Sequence, residues 1–241
     1  MDDDELHVFQ KLFGVSREEQ DQVLRVLGDI GQEATGSMGD DTPMAVLSSK
    51  ERHIADYFRQ KFAQVTNPPI DPLRENHVMS LATCIGQEMN VFSETDGHAY
   101  RVAFKSPVLL YSDMVQLLEL DDEYYRNSII DINFKPEDKS LEQAIIDLCD
   151  QVERVVRDGT VLVVLSDRGI AKDKLPIPAA MAVGAVHKRL VDSSLRCDAN
   201  IVVETASARD PHQFAVLLGF GATAVYPYLP MNPSPRWSKK A

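Results

Sequence analysis

Acidic, cationic and imidazole side chains gather in two short stretches of this chain. Ser166-Asp167-Arg168-Gly169 follows one apolar run, and Glu204-Thr205-Ala206-Ser207-Ala208-Arg209-Asp210, with His212 just beyond, follows another; Tyr226-Pro227-Tyr228 closes a third. Loops after the C-terminal ends of parallel strands are where α/β proteins build their sites, so Asp167, Arg168, Glu204, Arg209, Asp210 and His212 fall around one rim. One reading makes this an acid/base site with an arginine pair for an anionic substrate. The other makes it a salt-bridged rim in which Asp210 only caps a helix. Without a nucleophile–base pair or a phosphate loop, the second reading is favoured.

Other candidates carry less. Gly219-x-Gly221-x-x-Ala224 has the letters of a dinucleotide fingerprint, which requires a strand before it and a helix after it. Here a helix precedes and a strand follows, so the glycines read as a helix stop and a tight turn. Gly36 to Pro43 is dotted with hydroxyls, but it lacks the lysine and strand of a phosphate-binding loop, and Asp40 and Asp41 repel phosphate. It reads as a structured loop facing another protein surface. Lys188-Arg189 is a solvated helix face. Cys84, Cys149 and Cys197 lie far apart with no Cys-x-x-Cys, which speaks against a zinc site or an iron–sulfur cluster held by this chain alone. The six histidines are scattered, with no paired metal-ligand spacing.

The elements that must position these residues follow from periodicity and caps. Ser16 with Glu19 is a capping-box pattern, followed by the stripe Val23, Leu27 and Ile30 and a stop at Gly31. Ser48 with Glu51 predicts a second helix through Ile54, Tyr57, Phe58 and Phe62, and Asp71-Pro72 a third towards Leu81. Residues 86–111 read as irregular or short-stranded. The second half changes rhythm: a strand at Ser128–Phe134, a helix from Ser140 to Gly159 and a strand at Val161–Leu165. A helix from Pro178 to Val191, a strand at Asn200–Glu204, a helix from Asp210 to Leu218 and a strand at Thr223–Tyr226 complete it. The fold class is α/β: a mainly helical N-terminal half, then a parallel βαβαβαβ half, forming an incomplete or degenerate (β/α) barrel.

The chain has 241 residues, 25 Lys+Arg against 37 Asp+Glu and a net charge of −12, with 44% hydrophobic residues. That is a globular composition. The acidic balance disfavours a nucleic-acid partner, whose phosphates call for clustered Lys and Arg. No apolar run reaches membrane-spanning length, and Asp2-Asp3-Asp4-Glu5 is acidic where a signal peptide is basic, so a cytoplasmic protein without a membrane partner is expected.

Five stretches in one order resemble a known family. They are Gly-Ser-Met-Gly-Asp-Asp-Thr-Pro-Met-Ala-Val-Leu (36–47), Phe-Ala-Gln-Val-Thr-Asn-Pro-Pro-Ile-Asp-Pro-Leu-Arg-Glu (62–75), Val-Leu-Ser-Asp-Arg-Gly (164–169), Pro-Ile-Pro-Ala-x-Met-Ala-Val-Gly-Ala-Val (176–186) and Val-Val-Glu-Thr-Ala-Ser-Ala-Arg-Asp-x-His-x-Phe-Ala-x-Leu-Leu-Gly-Phe-Gly-Ala (202–222). Together they resemble the central domain of the glutamate synthase large subunit in its bacterial, NADPH-dependent form, from about Glu5 to Leu229.

The resemblance implies a large chain that begins with a glutamine amidotransferase domain. This central domain follows, then an FMN-binding domain with a [3Fe–4S] cluster and a β-helix, and a small NADPH-oxidising subunit acts indirectly. Ammonia released from glutamine passes through a tunnel to 2-oxoglutarate, and reduction at FMN gives glutamate, which serves ammonia assimilation and nitrogen metabolism. The segment itself is then expected to be inactive and cofactor-free. Its implied work is to couple the amidotransferase and FMN domains of the same polypeptide and to lend surface to the tunnel. A tunnel wall needs small neutral groups, because a carboxylate traps ammonia as ammonium; Ser37, Thr42, Thr66 and Asn67 are the candidates. Residues 1–229 form this domain, helix-rich over 1–111 and parallel α/β over 112–229. The proline-rich stretch 230–241 reads as a disordered tail outside the family pattern. The rivals are a free-standing α/β enzyme using Asp167, Arg168, Glu204, Arg209 and His212, and a pure interaction module.

Overall fold

Leu162-Val163-Val164-Leu165 is aliphatic throughout, and every residue of the strand it forms is buried, as a strand covered on both faces must be. The computed structural model describes residues 3–36, 45–50, 52–60 and 69–231. Its elements are α1 (Asp3–Leu12), α2 (Arg17–Glu19), α3 (Arg25–Ile30), α4 (Pro72–Val78), β1 (Thr83–Ile85), β2 (Val102–Phe104), α5 (Tyr111–Leu118), β3 (Asn127–Asp131) and β4 (Asn133–Phe134). They continue with α6 (Leu141–Arg157), β5 (Leu162–Ser166), β6 (Leu175–Pro176), α7 (Ala179–Asp192), β7 (Asn200–Glu204), α8 (Pro211–Gly219) and β8 (Ala224–Tyr226).

The main sheet is parallel, in the order β3-β5-β7-β8. Neighbours in the sheet are also neighbours among its strands in sequence, and right-handed crossovers then place α6, α7 and α8 on one face. Strand alternation sorts the core accordingly. Ile130, Val163, Leu165, Ile201, Val203 and Val225 face those three helices. Leu162, Val164, Val202, Ala224 and Tyr226 face the other way, onto Leu6 of α1, Ile85, Leu109, and Met114 and Leu117 of α5. This is the layout of half a (β/α) barrel, with the face that a closed barrel turns inward covered by N-terminal elements. Residues 107–109 extend the sheet beyond β8: Leu109 N–H donates to Val225 O and Val225 N–H to Pro107 O, both at 2.8 Å.

Most of the second half forms where periodicity placed it. Ser140 and Asp210 cap α6 and α8 by accepting from the backbone of Gln143 and Gln213. The first half departs more. Of the helix expected from Ser48 through Phe62, a single 3-10 turn, Ile54–Tyr57, forms within the described residues. Ser48 Oγ accepts from Lys50 N–H two residues on, a local turn in place of a cap, and the 3-10 turn is started by His53 Nδ1 accepting from Ala55 N–H. Helix α4 stops at Val78, short of Leu81. The expected strand 128–134 breaks at Ile132, where Asp131 Oδ1 accepts from Asn133 N–H; β4 then pairs antiparallel with β6. Helices α1 and α5 are additions to the expected elements. Ser37, Thr42, Thr66 and Asn67 lie outside the described residues, as does the stretch from Asn232 onward.

The turn before β8 depends on one glycine. Gly221 has φ +112°, and a Cβ there would come within 2.4 Å of His187 Nδ1, which already accepts from Arg196 Nε at 3.1 Å. Gly221→Ala is expected to destabilise the fold by about 2 kcal/mol or more, read as a lower urea midpoint. An unchanged midpoint would show that the turn does not need this conformation.

Candidate functional site

The rim at the C-terminal ends of β5, β7 and β8 carries the charges that the sequence placed there, and each has a partner. Arg168 Nε donates to Glu204 Oε1, whose other oxygen accepts from Ser166 Oγ at 2.6 Å. The Arg168 guanidinium lies 4.1 Å from the ring centre of Tyr228, a cation–π contact, and its Nη2 reaches Tyr226 Oη at 3.3 Å.

Asp167 is 1% exposed. Its carboxylate accepts from Thr205 Oγ1 at 2.5 Å, from Tyr228 Oη at 2.7 Å and from Ala206 N–H at 3.2 Å. The loops after β7 and β8 thus converge on one carboxylate at the end of β5. Burial pushes its pKa up to about 6, the donors from Thr205, Tyr228 and Ala206 oppose that rise, and nearby Glu204 adds to it. Tyr228 is pushed up as well, by burial and then by the charge of Asp167, so it stays a phenol donor. Its ring meets Phe9 of α1 edge-on, with centroids 6.2 Å apart.

Arg209 turns away from this cluster. It is 4% exposed, and its Nε and Nη2 grip Glu19 of α2 at 2.6 and 3.2 Å, 190 residues away in sequence. Its Nη1 donates to Phe13 O at 3.2 Å, and Gln213 Oε1 accepts from the Arg209 backbone N–H at 2.8 Å. His212 Nε2 hydrogen-bonds Ala55 O at 3.0 Å, fixing the 3-10 turn against α8. Burial, then the charge of Arg209, lowers the pKa of His53 in that turn, which suits its part as a neutral acceptor.

The five candidate rim residues therefore do not converge on one open site. Asp167, Arg168 and Glu204 form one network within the sheet's loops, while Arg209 and His212 fasten the N-terminal half. A cavity of about 620 Å³ remains between the rim, the 3-10 turn and the start of α7, but Glu19, Arg209 and Asp167 in its wall are engaged as described, and Arg52 lies 3.6 Å from Asp56. Both rim arginines are committed and Asp210 closes the first turn of α8, so the rim does not fit a flavin phosphate. Among the described residues no group of three His, Cys, Asp or Glu side chains is placed to hold a metal, and the three cysteines are free thiols. Glu19 is the participant that the sequence concealed. It looks like a capping-box member, and Ser16 Oγ does accept from its N–H at 3.0 Å, yet its carboxylate goes to Arg209. Tyr228 and Thr205 lay in the flagged loops without being singled out.

A sequence profile described as the glutamate synthase central domain matches residues 9–240, which includes most of the proline-rich C-terminal stretch. The ferredoxin-dependent, chloroplastic glutamate synthase of Oryza sativa subsp. japonica is 42% identical over 242 residues, covering 98% of this chain and 15% of that protein. A ferredoxin-dependent glutamate synthase of Arabidopsis thaliana is 40% identical with the same coverage. The NADPH glutamate synthase large chain of Azospirillum brasilense is 40% identical over 231 residues, 95% of this chain and 15% of that one. The chain thus spans about 15% of the length of these relatives. No helix among the described residues is long and apolar enough to cross a membrane.

The Asp167 cluster has a pH signature. Its folded pKa, about 6, lies above the ordinary 3.8, so the native state holds the proton more tightly than the unfolded chain. The contribution is fully present below about pH 4 and is lost as pH rises to about 6, an effect of up to about 3 kcal/mol. Urea titrations across that range should show a downward slope in the parent that Asp167→Asn flattens. Parallel slopes would mean that Asp167 does not hold a proton in this way.

Proposed function

The chain belongs to the glutamate synthase central domain family, and we propose that it works as a non-catalytic connector within a glutamate synthase large chain. In this reading the large chain converts glutamine and 2-oxoglutarate to glutamate in the cytoplasm, with electrons from NADPH. The segment holds an amidotransferase domain and an FMN-binding domain in register, and FMN and the [3Fe–4S] cluster belong to the latter. The small NADPH-oxidising subunit delivers electrons without touching this segment.

The observation that carries the reading is the state of the rim. In a catalytic (β/α) protein the loops after the strands present free charges to a substrate. Here Arg209 is bound to Glu19 and Phe13, and Arg168 to Glu204. His212 is bound to Ala55, and Asp167 to three donors. The site has become a seam that locks the N-terminal half onto the sheet. Such a lock suits a part that must keep two distant sites at fixed separation, because misplacement by an ångström already weakens catalysis. The rival reading, an anion site on the rim of a free-standing enzyme, needs an arginine that is not already neutralised.

We assign Ser37, Thr42, Thr66 and Asn67, which lie outside the described residues, to the wall of the ammonia route. Uncharged groups there let ammonia pass without being trapped as ammonium. In the complete synthase, Asn67→Trp or Thr42→Trp is expected to raise the glutamine hydrolysed per glutamate formed severalfold, with hydrolysis itself retained. A ratio equal to that of the parent for both variants would remove the tunnel assignment.

A further inference from the structure

The sharpest unexplained surface lies at the far end of the sheet from the rim, in the loop between β1 and β2. Asn90 to Ser93 form a tight turn that is tied twice, since Asn90 Oδ1 accepts from Phe92 N–H at 3.0 Å and Asn90 O from Ser93 N–H at 2.9 Å. Its two central residues are Val91 and Phe92, 83% and 93% exposed. Central turn positions ordinarily carry Asn, Asp, Gly or Pro, which suit the geometry and water alike. A β-branched residue followed by phenylalanine suits neither.

The turn is also held rigidly. His98 Nε2–H donates to Ser93 O at 2.9 Å on one side. On the other, Glu88 N–H donates to Cys197 O at 2.9 Å, the Gln87 side chain to Asp198 Oδ1 at 3.0 Å, and Asn200 Nδ2 to Gly86 O at 2.9 Å. The loop is thereby bolted to the segment that leads into β7, and the Val91-Phe92 tip projects from a fixed base. An ordered aromatic with two rotatable bonds and no neighbours is what an interface anchor looks like before it is covered. A second observation points the same way. Residues 71–82 are exposed without a break, and within them α4 is started by Asp71, which accepts from both Leu73 and Arg74 N–H at 3.0 Å. Leu73 is 92% exposed and has no packing partner among the described residues. A helix of two turns with no buried face is marginal in water, so it too calls for a surface to rest on.

We propose that the Val91-Phe92 turn is an anchor inserted into an apolar recess of another domain of the same large chain. The recess would be edged by basic side chains facing the exposed Glu94 and Asp96 beside the tip. The inference rests on the reading above that this segment works between domains. An occupant within the same polypeptide is favoured because the chain spans about 15% of its relatives' length, so most of such a polypeptide lies outside it and is tethered at high effective concentration. A second copy is disfavoured by shape. A two-fold pairing of projecting tips needs a recess beside the tip, and neither the cavity at the rim nor the one between Gln87, Tyr124 and Leu195 has Val91 or Phe92 in its wall.

The test places p-benzoylphenylalanine at position 92 of the complete gene product, irradiates it and maps the linked peptides by mass spectrometry. The expected result is a bond from position 92 to a residue of the same polypeptide outside these 241. Bonds confined to a second copy, or no bond, overturn the proposal, as does a gene product with no further residues to bond. In parallel, Phe92→Ser should speed hydrogen exchange of the contacted peptide about thirtyfold, the loss typical of an anchor residue; unchanged exchange also counts against docking. Glutamine-to-glutamate coupling is scored separately. Normal coupling in the Asn67 and Thr42 variants with the crosslink present sinks the tunnel assignment and leaves the docking intact. The converse pattern sinks the docking alone.

Discussion

A guanidinium cannot shed its charge, so an arginine buried as deeply as Arg209 must keep a counter-charge beside it. Glu19 supplies that charge from the other end of the chain, through two hydrogen bonds in fork geometry. The carbonyl of Phe13 takes a further donor, so the position of the segment that joins α1 to α2 is set by what one side chain on the sheet's rim requires. Much of the helical half follows from that attachment. Phe9 meets Tyr228, Tyr228 donates to Asp167, and Asp167 gathers Thr205 and Ala206 from the β7 loop. Breaking one partner of such a pair leaves an uncompensated buried charge and destabilises by about 3–5 kcal/mol, whereas an apolar replacement of both can be neutral. The pair therefore specifies an arrangement more than it supplies stability.

The sheet explains why the lock sits where it does. Four parallel strands in sequential order make half a barrel and leave one face with no strands opposite it. That face must be covered, and α1, α5 and the residues around Ile85 and Leu109 cover it with apolar side chains. The covering elements then reach the C-terminal rim, which a closed barrel leaves open for substrate. Closure of the rim and attachment of the N-terminal elements are thus one structural arrangement.

How much of this was legible depended on whether the signal was local. The aliphatic run at 162–165, the caps at Ser140 and Asp210 and the stop at Gly31 are satisfied by neighbours in sequence, and they formed as read. The helix expected after Ser48 failed because a Ser–x–x–Glu pattern says nothing about what the following apolar residues pack against, and His53 bonded locally to start a tighter turn instead. The apolar positions Leu6 and Phe9 of α1 stand at helical spacing, with Phe13 just beyond, but the acidic run before them carries no capping pattern to mark where a helix starts. At the rim, the residue types and their loops were legible while the partners were not, since no local rule links Glu19 to Arg209.

The central claim is that the rim is a seam held by Glu19 and Arg209, and a double-mutant cycle tests it most directly. Unfolding free energies of the parent, Glu19→Ala, Arg209→Ala and the double variant, at one pH and salt, yield the coupling between the two side chains. A buried, bidentate pair predicts a coupling of about 2 kcal/mol or more that persists at high salt. Additive effects, with a coupling near zero, would mean that the two side chains do not hold the halves together and that the rim is free for another purpose.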